Sequence, residues 1–111
     1  MQINFVIKNK ILIVMIEGEL DHHTSMEIRD RIDKEMNRNK TKNLILDFTN
    51  LTFMDSSGIG VILGRYKNIQ KRNGKLIIVN PNPQVIRIIT ISGLHKIVPV
   101  FSDMEDALKE M

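Results

Sequence analysis

The sequence predicts an α/β domain: a mixed β-sheet, parallel in its middle, with about four helices packed against it. Three observations carry that expectation. Residues 44–48 and 76–79 are short, almost continuous apolar runs, the mark of strands covered on both faces. Segments of helical period alternate with strand-like ones, which favours parallel strands joined through helices. Helix-start signals then recur before each amphipathic stretch: Thr24-Ser25-Met26-Glu27, Asp55-Ser56, Asn82-Pro83 and Ser102-Asp103-Met104-Glu105. The implied order is β-β-α-β-α-β-α-β-α.

Taken along the chain, residues 3–7 and 11–16 read as two strands joined by Lys8-Asn9-Lys10, a connection of hairpin length. Gly18 is expected to close the second strand. Thr24-Ser25-Met26-Glu27 fits a capping box, and Ile28, Ile32 and Met36 follow at i, i+4 and i+8 on one face of a first helix. The polar stretch 37–43 ends it. Residues 44–48 form a central strand, and a short turn leads from it to Asp55-Ser56-Ser57-Gly58. Ile59, Ile62, Leu63, Tyr66 and Ile69 then lie at helical spacing, with Lys67, Asn68 and Lys71 turned outward and Asn73-Gly74 as the stop. Residues 76–79 give another buried strand. Asn82 is the expected N-cap of a third helix, with Pro83 at its first position and Ser92-Gly93 at its end. Residues 97–101 read as a last strand. Ser102 and Glu105 form a second capping box, and Met104, Ala107, Leu108 and Met111 share one face of a terminal helix.

The 111 residues suit a single domain, 1–111. A chain of this size buries on the order of 60–70% of the surface its unfolded form exposes, so an apolar share of 42% supplies a core without staples. Cysteine is absent, which excludes disulfides and thiolate metal sites. No apolar run approaches the roughly 20 residues of a membrane helix. The start, Met1-Gln2-Ile3-Asn4-Phe5, alternates like a strand and lacks the charged region and cleavage site of a signal peptide. A soluble cytoplasmic protein with no membrane partner is expected. Met15, Met26, Met36 and Met54 read as adaptable core filler.

A formal charge of +3 keeps nucleic acid in view as a partner, but the distribution argues against it. Lys67, Lys71, Arg72 and Lys75 gather around a helix end, where cations complement the dipole. With one Tyr, four Phe and no Trp there is no stacking platform.

Two polar segments carry the candidate chemistry. In Phe53-Met54-Asp55-Ser56-Ser57-Gly58-Ile59-Gly60 a pair of hydroxyls stands at a helix start, where free N–H groups and the dipole favour an anion. A bare cap explains much of this pattern, because Asp and Ser are preferred there and Gly permits a tight turn. Gly58, Gly60 and Gly64 lie within the helix, each costing about 0.5–1 kcal/mol relative to Ala, which implies a close approach by a neighbouring strand or a partner. A serine hydrolase fits poorly: Met54-Asp55-Ser56-Ser57-Gly58 lacks the first glycine of G-x-S-x-G, and no second oxyanion donor is evident. A phosphotransfer domain using Asp55 would need Mg²⁺ held by several carboxylates, and the first strand ends in Lys8-Asn9-Lys10.

The second segment is Gly18-Glu19-Leu20-Asp21-His22-His23-Thr24. Adjacent histidines point in different directions, so His22 and His23 read as a solvated turn and not a metal site. Strand-end loops cluster on one edge of an open α/β sheet, which would bring Asp21 and Ser56 to the same side.

Together, Gly18-Glu19-Leu20-Asp21-His22-His23-Thr24 and the long run Phe53-Met54-Asp55-Ser56-Ser57-Gly58-Ile59-Gly60-Val61-Ile62-Leu63-Gly64-Arg65-Tyr66-Lys67 closely resemble the anti-sigma factor antagonists of the STAS family. The likeness extends to Ser92-Gly93-Leu94 and the terminal helix, and departs mainly over residues 80–91 and in a slightly shorter start. His22-His23 and residues 63–67 favour the sporulation branch over the general-stress branch. The resemblance implies a STAS-like domain without cofactor, catalytic residue or metal. It implies a partner-switching protein whose unphosphorylated form binds an anti-sigma factor that is also a serine kinase, freeing a sporulation sigma factor. The acceptor maps to Ser56, and a PP2C-type phosphatase reverses the modification. Asp21 and Asp55 match acids beside that serine, and Asp21, His22, His23, Thr24, Asp55, Ser56, Ser57, Gly58, Ile59 and Gly60 map to the partner-binding face. Helix N–H groups are expected to receive the phosphate oxygens.

Overall fold

The computed structural model describes residues 1–111. Its strands are β1 (Gln2–Lys8), β2 (Ile11–Leu20), β3 (Asn43–Asp47), β4 (Leu51–Met54), β5 (Leu76–Val79) and β6 (Val100–Phe101). The helices are α1 (Ser25–Asn39), α2 (Ser56–Lys71), α3 (Pro83–Ser92) and α4 (Met104–Lys109), with a 3₁₀ turn at Leu94–Lys96. The sheet runs β1-β2-β3-β5-β6, with β4 beside β2. Only the β1–β2 pair is antiparallel; the other pairings are parallel, giving the expected mixed α/β sheet.

The alternation of side chains in the central strands explains why they read as unbroken apolar runs. Leu44 and Leu46 join Leu12, Val14 and Ile78 in the larger core, under α1, α2 and α3. Ile45 and Ile77 point the other way, to a smaller cluster closed by Ala107, with Met104 and Leu108 of α4 and the following Met111 packed against it. Each buried Leu or Ile contributes about 1.5–3 kcal/mol, so this sheet is secured from both sides. The stripe Ile28, Ile32 and Met36 holds α1 to the core. Asn82 caps α3 by accepting from the Val85 N–H at 2.9 Å, and Gly93 ends it at φ +79°.

Several expectations need correction. β2 does not stop at Gly18: that residue adopts φ +106° at a bulge, and the strand resumes through Glu19 and Leu20. The turn before Asp55 contains β4, which pairs with the far end of β2. Residues 97–101 form a strand only at Val100 and Phe101, because the N–H groups of Ile97 and Val98 donate back to Leu94 and Pro99 has none to offer. The cap of α4 is Asp103, one residue beyond Ser102, accepting from the Asp106 N–H at 2.8 Å. Thr24 stands at the start of α1 but makes no side-chain cap bond. Leu63 is exposed, and Met26 is 65% exposed and so fills no core.

The basic stretch ending α2 is partly structural. Arg72 Nη1 donates to Thr41 O at 3.0 Å and Met36 O at 3.4 Å, and Nη2 donates to Asn37 Oδ1, tying the C-terminal ends of two helices together. Lys75 Nζ donates to Glu110 O at 2.9 Å. No helix is long and apolar enough to cross a membrane.

Candidate functional site

The parallel pairing of β2 with β4 decides the geometry. Glu19 and Leu20 lie opposite Phe53 and Met54, so both strands end on the same edge and release Asp21 and Asp55 side by side. The Asp55 N–H donates to Leu20 O at 3.4 Å, and Asp55, in extended conformation, becomes the N-cap of α2. Its Oδ1 accepts from the Ser57 N–H at 2.8 Å and its Oδ2 from the His22 N–H at 3.2 Å. One carboxylate thus starts the helix and clamps the neighbouring loop.

The Asp21 loop is tightly wound. Asp21 Oδ1 accepts from the His23 N–H at 2.9 Å and the Thr24 N–H at 3.1 Å. The Asp21 N–H donates to Thr24 Oγ1 at 3.0 Å, and that hydroxyl donates to Glu19 O at 2.8 Å. This explains the missing cap on α1: the Thr24 hydroxyl is spent inside the loop. Desolvation pushes the Asp21 carboxyl up, but hydrogen bonds from Glu19, Thr24 and the His23 N–H outweigh it and hold its pKa below the ordinary value. The rings of His22 and His23 meet edge to face at 5.8 Å, both residues being exposed. No group of three or more His, Asp and Glu residues is arranged so that it could hold a metal ion.

Ser56 is exposed at the first position of α2, while Ser57 is half-buried. The expectation about N–H donors changes here. The Ser57 N–H goes to the Asp55 carboxylate, and those of Gly58 and Ile59 go to Asp55 O at 3.0 and 3.4 Å. Only the N–H of Ser56 itself is left without an acceptor, so Asp55 already occupies the anion position of the helix start. An anion attached to Ser56 Oγ would stand beside the Asp55 carboxylate, with the first-turn donors already committed to that residue.

The glycines divide. Gly58 is buried where α2 meets the strand ends: a Cβ there would lie 2.8 Å from Met54 Sδ and 2.9 Å from Leu20 O. Gly60 and Gly64 face open space, so the close approach expected of them is not made within the fold. Sequence reasoning missed Arg65, which is only 6% exposed. The signal was present, since Arg65 stands four residues after Val61 and four before Ile69, both buried on α2. Its charge hid a position that the helical spacing marks as inward.

Residues 2–107 match the family model for the STAS domain. The chain belongs to the STAS domain family. A relative from Paenibacillus polymyxa, an anti-sigma F factor antagonist, is 46% identical over 101 residues, covering 91% of this chain and 86% of that protein. The structure of the anti-sigma factor antagonist SpoIIAA in its unphosphorylated form superposes with a TM-score of 0.85 at 30% identity, over 98% of this chain and 95% of that one. The phosphorylated form of the Bacillus cell fate determinant SpoIIAA matches with a TM-score of 0.75 at 29% identity, over 98% of each chain. The likeness to the anti-sigma factor antagonists of the STAS family expected from the sequence therefore extends along nearly the whole fold.

Proposed function

We propose that this chain is a cytoplasmic anti-sigma factor antagonist, a regulated binding module and not an enzyme. Unphosphorylated, it binds an anti-sigma factor that is also a serine kinase, and a sporulation sigma factor is released. The kinase transfers the γ-phosphoryl group of ATP to Ser56 Oγ, ADP leaves, and the complex is forbidden until a PP2C-type phosphatase hydrolyses the ester. The observation that carries this reading is the exposed Ser56 hydroxyl at the start of α2, beside the clamped Asp21–Thr24 loop. The kinship with anti-sigma F factor antagonists supports the partner. The docking face comprises Asp21, His22, His23 and Thr24 with Asp55, Ser56, Ser57, Gly58, Ile59 and Gly60, the buried Gly58 and Ile59 serving to seat the helix.

The electrostatics explain the switch without refolding. Phosphate adds about −1.5 to −2 charges to a spot that already carries the Asp55 carboxylate. Burying such a group against a partner without a paired cation is unfavourable by several kcal/mol, and a loss of about 4 kcal/mol weakens binding roughly a thousandfold.

Incubation with the anti-sigma F factor of P. polymyxa and ATP, followed by intact-mass and peptide analysis, tests the proposal. One added phosphate on the Ser56 peptide is expected, with Ser57→Ala still labelled and Ser56→Ala unlabelled but fully binding. Label persisting in Ser56→Ala would refute the assignment.

A further inference from the structure

The groove between α1 and α2 contains a charge that the serine switch does not use. Its lining includes Met26 and Arg29 from α1 and Ser57, Gly60, Gly64 and Arg65 from α2, around a volume of about 400 Å³. Arg65 is almost wholly buried there. Its Nε lies 2.9 Å from Asp33 Oδ1, out of line for a hydrogen bond, and its Nη1 is sealed from solvent with no acceptor. A guanidinium has five donors and stays charged at neutral pH, so burial beside one off-axis carboxylate leaves it under-satisfied. Burial pushes the Arg65 pKa down, Asp33 opposes that, and Arg29 adds to it. Asp30 does not fill the gap, since its Oδ1 is held by Arg29 Nη2 at 3.0 Å.

The rest of the groove is shaped for a polypeptide. Gly60 and Gly64 leave bare stretches of backbone in the α2 wall, with nothing within 4 Å of where a Cβ would stand at either position. Met26 stands 65% exposed on the rim, a pliable apolar contact. The groove begins at Ser57, next to the proposed acceptor, and runs down the helix. A phosphate on Ser56 cannot fill the far end, because nine residues of helix separate it from Arg65 by about 13 Å.

We propose that this groove receives an acidic segment of the anti-sigma factor, an Asp or Glu carboxylate pairing with the Arg65 guanidinium while the partner's backbone crosses Gly60 and Gly64. The proposal rests on the antagonist reading above. A carboxylate is the ligand because it would meet the guanidinium at Nη2, the one nitrogen that is neither sealed nor turned to Asp33, and offset a charge that one off-axis carboxylate leaves under-satisfied; a partner chain is its source because the groove continues the docking face.

Calorimetric titration of the anti-sigma F factor of P. polymyxa into folded variants is the test. Gly64→Leu places a side chain in open space, away from the Ser56 turn, and Arg65→Gln removes the charge. Each should weaken binding at least tenfold, Arg65→Gln should flatten the dependence on salt, and Ser56 should remain a site of phosphate transfer at high kinase concentration. Wild-type affinity and salt slope in Gly64→Leu, which spares the core even if Arg65→Gln misfolds, would overturn the groove assignment and leave the switch intact. Absence of binding by the wild-type chain would overturn both. Self-association of the chain alone, lost in Gly64→Leu on sedimentation, would make a second copy the occupant and refute the proposal.

Discussion

Gly58→Ala and Gly60→Ala are the same chemical change two residues apart in one helix, and the structure requires them to differ in sign. Both remove a glycine from the unfolded chain and a glycine from the helix, which favours Ala by about 0.5–1 kcal/mol. At Gly60 nothing within 4 Å opposes that gain. At Gly58 the new Cβ would lie 2.8 Å from Met54 Sδ and 2.9 Å from Leu20 O. Met54 is fully buried, and Leu20 O ends a paired strand and accepts from Asp55, so neither gives way freely. Overpacking of this kind costs about 1–3 kcal/mol, leaving Gly58→Ala about 1–2 kcal/mol below wild type. The two variants should therefore differ by about 2 kcal/mol, or roughly 8 °C in melting temperature for a domain of this size. Urea unfolding followed by circular dichroism, with calorimetry as a second probe, measures it. Equal midpoints, or a Gly58→Ala variant more stable than wild type, would refute the close packing of α2 on the strand ends.

Arg72→Met keeps the apolar stem while deleting the donors to Met36 O, Thr41 O and Asn37 Oδ1, and should cost about 1.5–3 kcal/mol. An unchanged urea midpoint would mean that these bonds merely replace water. The Asp21 carboxyl predicts an acid-side effect: its folded pKa lies below the unfolded value of about 3.9, so its contribution is present above that value and lost as pH falls through the folded pKa. Asp21→Asn should flatten the loss of stability below about pH 4, and identical pH profiles for the two proteins would count against the loop's hydrogen-bond pattern.

The elements legible in the sequence were those whose burial period is complete. α1 shows Ile28, Ile32 and Met36 on one stripe, and β3 and β5 are apolar on both faces because both are covered. β4 escaped notice because only Leu51 and Met54 of its four residues are buried, while Thr52 and Phe53 face outward at an edge. β6 was overextended because apolar character persists through Ile97 and Val98, whose N–H groups the 3₁₀ turn takes instead. At the site, the meeting of the Asp21 and Asp55 loops followed from parallel-sheet topology. The double use of Asp55 did not, because it depends on a contact across 33 positions that no local pattern encodes. Arg65 was missed for a third reason: a cation on an inward stripe reads as surface unless spacing is allowed to overrule polarity.

If Ser56 is the acceptor proposed above, its position reconciles two demands. A modified hydroxyl must be reachable, yet a change of charge has to act on a surface whose shape is already set. Exposure at a helix start meets the first demand. The second is met by what lies behind it: Gly58 seated against Leu20 O and Met54, Asp55 bonded to both Ser57 and His22, and the Asp21 loop closed on itself through Thr24. Each of these ties uses backbone or a carboxylate, and none passes through the Ser56 hydroxyl. Adding charge there therefore breaks no bond of the fold. With the helix donors already committed to Asp55, the chain offers a phosphate little compensation of its own. On the proposed reading, the cost of burying that charge falls on whatever docks against it, so a modification there would control binding without undoing the contacts that hold the site together.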